Sequence, residues 1–139
     1  MTVPIEMLKD MVDILYRKGA ICDFGINESL LQVTVELACT RYPGKAVRAI
    51  KQWVWWDLDV SAKARRQYEA SGIQPAIMFS TYLVWDSGDR WSEGWNVKTT
   101  ALVSFEENCF FITRNTVYIL VGNGYRKTVD PQLAASVYF

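Results

Sequence analysis

Side chains able to do chemistry are few and scattered in these 139 residues. There is no histidine, which removes Ser-His-Asp and Cys-His catalysis and the commonest transition-metal ligand. The three cysteines, Cys22, Cys39 and Cys109, are far apart and form no Cys-x-x-Cys pair. Neither a zinc site nor a disulfide framework is expected, and unpaired thiols suit a reducing cytoplasm. Asp89 and Glu93 lie four residues apart in SGDRWSEGWNVKTT (residues 87–100), a spacing that suggests general acid–base work. No nucleophile or metal ligand accompanies them, and the surrounding Ser and Gly mark a loop. GNGYRK (122–127) is glycine-rich with two cations behind it. A phosphate cradle would need a helix start there, and residues 125–129 have no helical pattern. No Walker, G-x-G-x-x-G, H-E-x-x-H or G-x-S-x-G motif occurs. The chain is therefore expected to use no cofactor or metal and not to be an enzyme; catalysis by Asp, Glu and Tyr stands as a third reading.

Binding chemistry is better supplied. Six Trp, seven Tyr and six Phe are many for this length. Large aromatics build cores, and they also anchor protein interfaces. Trp91 and Trp95 lie within the stretch just quoted, where indoles folded over a sheet would form its cover or the floor of a groove. In WVWW (53–56) an extended backbone places Trp53 and Trp55 on one face and Trp56 on the other, so one indole is a candidate for exposure. Arg114 sits in the polar break of CFFITRNTVYILVGNG (109–124), between two β-favouring runs. That break reads as the corner of a hairpin, with Arg114-Asn115 as its loop and a turn type left open. Trp91, Trp95 and Arg114, then Trp53 and Trp56, are the expected partner-binding residues.

Charge offers one alternative. Lys plus Arg equals Asp plus Glu, at 15 each, so net charge gives no long-range pull toward nucleic acid or acidic membrane. Residues 41–66 are nevertheless locally basic, with seven positives and two negatives, a net of +5. Arg41, Lys45, Arg48 and Lys51, with tryptophans interleaved, would suit a phosphate backbone with stacked bases, and solvated helix faces look the same. Nucleic acid is accordingly the less favoured partner, after a protein.

The elements that must position these groups follow from periodicity. Ile5, Leu8, Met11, Val12 and Leu15 make one stripe of a helix over 4–18. Asn27 is an N-cap for a second over 27–40, with Leu30, Leu31, Val35, Leu37 and Ala38 as its buried face. Val47, Ile50 and Val54 predict a third helix over 45–53, giving way to a strand over 54–60. Ser61 caps a short helix over 62–70. Strands follow at 76–85, 95–105, 109–113 and 116–121, and residues 125–129 pair briefly. Helices before about residue 72 and strands after it predict a single α+β domain over 1–139, with N-terminal helices packed on a C-terminal antiparallel sheet or small curled barrel. Charges interrupt the N-terminal segment, so it is not a signal peptide, and no run is long and apolar enough for a bilayer. A soluble cytoplasmic location is expected, without a membrane partner, and nothing in the sequence sets an oligomeric state.

Two stretches, LVWDSGDRWSEGWNVKTTALVSF (83–105) and FFITRNTVYILVGNGYRK (110–127), with residues 56–75 in addition, resemble an uncharacterised family of small proteins of Pseudomonas-type bacteria and their prophages. The resemblance covers a little over half of the chain and carries no catalytic residue. It implies stoichiometric binding to a host or phage protein, such as inhibition of a host defence or regulation of a host enzyme.

Overall fold

A computed structural model describes residues 19–89 and 92–137. The helix expected over 4–18, and Trp91, lie outside these residues. Eight strands and three helices follow in order: β1 (Ala20–Cys22), α1 (Leu31–Arg41), β2 (Ala46–Leu58), α2 (Ala62–Ala70), β3 (Ala76–Asp86), β4 (Val97–Lys98), β5 (Ser104–Glu106), β6 (Phe110–Ile112), β7 (Thr116–Leu120), β8 (Gly124–Val129) and α3 (Pro131–Ala135).

The expected α+β arrangement is overturned. Strands dominate, and the sheet curls into a half-barrel without a packed layer of N-terminal helices. Residues 45–53, expected to be helical, belong to the 13-residue strand β2. β2 pairs antiparallel with β3 along one side and parallel with β7 and β8 along the other, so the sheet is mixed rather than antiparallel. It joins the two halves that the sequence divides near residue 72. α1 buries only Thr34 and Ala38, and α2 buries nothing. Leu30 and Leu37, expected in the buried face of that helix, are exposed.

Local signals explain the helices that do form. The Asn27 side chain accepts a hydrogen bond from the Ser29 N–H and opens a 3-10 turn, Glu28–Leu30, ahead of α1. The Ser61 hydroxyl accepts from the Ala64 N–H and caps α2. Asp130 does the same for α3, which has Pro131 in its first turn.

The hairpin question has a definite answer. Thr113 N–H donates to the Thr116 carbonyl at 2.9 Å, so Arg114-Asn115 is a two-residue loop between β6 and β7. Neither residue has a positive φ, so the turn is not a primed one. The primed geometry sits one turn earlier, at Glu107 (φ 55°) and Asn108 (φ 53°) between β5 and β6. GNG is not a hairpin at all: β7 and β8 lie end to end beside β2 and do not pair with each other.

That arrangement demands a break in β2. Ile50 pairs with Leu120 and Val54 with Tyr125, so three residues of β2 face four of the neighbouring chain. The mismatch is a bulge with its extra residue in 121–124, where Gly122 has φ 71°, and opposite it Gln52 of β2 adopts the left-handed region at φ 52°. Side-chain alternation restarts there: Ile50 and Trp53, three residues apart, point into the same apolar cluster. Trp53 and Trp55 join Met78, Leu83, Phe111 and Leu120 inside the half-barrel. On the opposite face, Val47 and Ala49 pack with Ala38, Phe110 and Ile119. Further along that face, Trp56 and Leu58 pack with Phe79 and Val129.

Trp53 locks the break from inside. Its indole N–H donates to the Gly122 carbonyl at 3.0 Å. Its ring lies so close to Gly124 that a Cβ there would stand 2.4 Å from it. Burying on the order of 200 Å² of indole contributes about 5 kcal/mol at ~25 cal/mol/Å². The left-handed backbone at Gln52 costs about 1–2 kcal/mol, so burial wins.

Substitution at the break should show both terms. Gln52→Val, β-branched in a left-handed backbone, is expected to lower unfolding free energy in urea by about 1–2 kcal/mol, whereas Gln52→Gly leaves it unchanged or higher. Gly124→Ala should cost about 1–3 kcal/mol through overpacking against Trp53. Equal effects of Gln52→Val and Gln52→Gly would mean that backbone strain plays no part.

Candidate functional site

The structure separates the aromatic residues that sequence grouped together. Trp53 and Trp56 are 0% exposed and offer no surface to a partner. Their indoles are core: Trp56 stacks on Phe79 with centroids 5.1 Å apart, and its N–H has no hydrogen-bond partner among the described residues. Trp95 is half exposed, on the segment that borders β3 on the side away from β2, where its carbonyl accepts from the Leu83 N–H. Arg114 is exposed at the hairpin tip, and its guanidinium donates to the Ser71 carbonyl at 2.9 Å. Trp95 and Arg114 thus remain at the surface, on different loops.

Each of the four basic candidates has a partner within the chain. Arg41 pairs with Glu107 at 2.8 Å. Lys45 donates to the carbonyls of Thr113 and Arg114 at 2.7 and 2.5 Å and ties β2 to the hairpin tip. Arg48 is drawn inside, 3.4 Å from the buried Asp86 carboxylate and 3.3 Å from the Tyr118 hydroxyl. Lys51 lies 3.6 Å from Glu28, with its ammonium 4.4 Å from the centre of the Tyr82 ring. Elsewhere Asp57 accepts from Arg126 at 2.7 Å and from the Trp55 indole at 3.1 Å, so that acid is structural too.

Two surface features were not legible as sites in the sequence. One is α1. Leu30, Val33 and Leu37 recur at i, i+3 and i+7 and are all exposed, Val33 by 59%. Beside the helix, a cleft of about 550 Å³ runs between Leu31, Val35 and the partly exposed Trp85. The other is a cleft of about 680 Å³ at the break in β2, with Lys51, Gln52 and Asn123 at its rim and Val54, Phe79 and Tyr125 among its walls. Apolar spacing in α1 signalled a buried face, because sequence alone does not say which part of a wide stripe the sheet covers. The break leaves no residue-type signal beyond GNG.

Electrostatics give little support to catalysis. Burial, with Glu107 nearby, pushes the Cys109 thiol up to about 11, away from nucleophilic character at neutral pH. Burial, followed by the hydrogen bond to Glu106, raises the Tyr42 hydroxyl. Burial lowers Lys98, whose ammonium donates to the Ala134 and Val137 carbonyls at 3.0 and 2.8 Å behind α3. Among the described residues no group of three or more Cys, Asp or Glu could hold a metal, and no helix is long and apolar enough to cross a membrane.

Fold and surface together define a small, curled, mixed-sheet protein whose distinctive features are an apolar helix flank and a cleft at a strand break. Residues 24–136 match the family model described as "Domain of unknown function (DUF6957)", and the chain belongs to that family. No curated protein and no solved structure matches it.

The thiols should differ in reactivity as their environments do. At pH 8, Ellman's reagent is expected to modify the exposed Cys39 within the mixing time and Cys22 more slowly, and to reach Cys109 only in denaturant. Rapid labelling of Cys109 in the folded chain would contradict its burial.

Proposed function

We propose that this protein acts by binding another protein, without chemistry of its own, in the cytoplasm of a bacterium of the Pseudomonas type or in the service of a prophage. Its partner in this reading is a host enzyme or a component of host defence. The observation that carries the reading is the exposed row Leu30, Val33 and Leu37 on α1, beside the Trp85 cleft. Apolar side chains in a row on one helix flank lie outside the apolar clusters of the described residues, and they suit the centre of an interface. Trp85 supplies an aromatic anchor of the kind that dominates interface energetics. Acidic Glu28 and Glu36 border the cleft and would form its polar rim.

Nucleic acid is the less favoured partner, since Arg41, Lys45 and Arg48 are held by intramolecular partners and only Lys51 has a long, exposed pair. No salt-dependent mobility shift with DNA or RNA is expected at low ionic strength.

The test is capture from a lysate of the bacterium that carries the gene, followed by calorimetry with the purified partner. Val33→Asp with Leu37→Asp should weaken binding by ~2 kcal/mol or more, about thirtyfold, and Trp85→Ala by a similar amount, with the fold unchanged by circular dichroism. A partner that binds these variants as tightly as the parent would overturn the surface. A monomer that captures nothing specific would overturn the function.

A further inference from the structure

We propose that the cleft at the break in β2 binds a small amphipathic anion: an apolar, preferably aromatic body that carries one carboxylate or sulfonate. This site shares only Glu28 with the α1 cleft and does not depend on that surface.

Three observations converge. The cleft exists because β2 leaves β7 before it reaches β8, so four residues of one chain pass three of the other and the ladder opens. Bulges and strained backbone of this kind accompany binding sites. The gap is not filled from within: a Cβ on Gly122, one of the lining residues, would meet nothing within 4 Å. The space is about 680 Å³, the size of pockets that take small organic ligands.

The walls are apolar, with Val54, Phe79, Val121 and Tyr125, while the rim offers donors. Lys51, a lining residue, is partly exposed, and its ammonium stands 3.6 Å from Glu28, another lining residue, and 4.4 Å from the centre of the Tyr82 ring. The Gln52 carboxamide oxygen accepts from the Thr81 hydroxyl at 2.7 Å, so its NH₂ end is the one presented to a ligand. An ammonium and an amide NH₂ together ask for an oxyanion. Glu28 is the competitor already in place. Its carboxylate stands 3.6 Å from Lys51 and is more than half exposed, a long, solvent-screened pair that an incoming anion can displace.

The competition gives the test its sign. 1-Anilinonaphthalene-8-sulfonate and its uncharged counterpart, N-phenyl-1-naphthylamine, would be titrated into the folded full chain and followed by probe fluorescence. We expect one sulfonate probe per chain, bound more tightly than the neutral one. Lys51→Met should weaken the sulfonate by about fivefold and leave the neutral probe unchanged. Glu28→Gln should tighten the sulfonate by a similar factor, and Asn123→Trp at the rim should exclude both probes. Circular dichroism and urea midpoints confirm that each variant is folded. Absence of binding, equal affinity for the two probes, indifference to Lys51→Met, or loss of binding only on Val35→Asp in the α1 cleft would each overturn the proposal.

Discussion

The fold depends on one strand serving two masters in series. β2 gives its first half to β7 and its second half to β8, and the change of partner cannot be made on a regular ladder. A regular strand keeps even and odd residues on opposite faces, so the side pointing inward at Ile50 would remain inward at Gln52 and Val54. The left-handed residue at Gln52 resets that order and turns Trp53 and Trp55 into the half-barrel. Trp53 then fills the space against Gly124 and donates to the Gly122 carbonyl, so the bulge, the glycine and the indole form one unit. Removing any one leaves the other two without a reason for their conformation.

The same unit decides where the aromatic surface can be. Once Trp53 and Trp55 face inward and Trp56 faces the opposite apolar cluster, all three are buried. Trp55 sits among Phe24, Phe105 and Phe111 with ring centroids 5.1–6.1 Å apart, and Arg126 covers its outer side at 4.6 Å. The indoles left for the surface among the described residues are Trp85 and Trp95, on the β3 side. The charges are spent in a similar way. Arg48 reaches inward to Asp86 because β2 has a second bulge against β3 between Ala49 and Ile50, which admits an extra residue, Val84. A basic segment on paper becomes a set of tethers between neighbouring elements.

Much of this was legible from sequence, and its limits have physical causes. The caps at Asn27 and Ser61 were visible because a side-chain oxygen next to orphan N–H groups is a local event. The hairpin at Arg114-Asn115 was visible because two β-branched runs flank a short polar corner. β2 was not. It is buried on both faces, so Val47 and Ile50, packed in clusters on opposite faces, fall with Val54 at a spacing that imitates a helix turn. Once those residues are read as helix, the chain divides into a helical and a strand half, and the α+β expectation follows from that one error. The burial of Trp53 and Trp56 was hidden for a related reason. Three tryptophans in four residues look too many to bury, unless the sheet has an apolar cluster on each face.

The two surface features stand in different relations to folding. At the β2 break, cleft and stability share the same atoms: the bulge that opens the ladder is the one that seats Trp53, so the cleft has a sufficient structural cause whether or not anything enters it. α1 is different. It is fixed by the Asn27 cap, by the Thr34 hydroxyl on the Leu30 carbonyl, by buried Ala38, and by Arg41 and Tyr42 on Glu107 and Glu106. None of these involves the Leu30, Val33 or Leu37 side chain. Polar residues would serve the helix equally well at those positions and would keep apolar area out of water. Folding therefore explains the cleft and leaves the helix flank unexplained. Both lie within the span, 24–136, that defines the family, whereas edge strand β1 lies before it. Folding of the described residues does not require apolar area on the helix flank, whereas the cleft follows from the topology of β2.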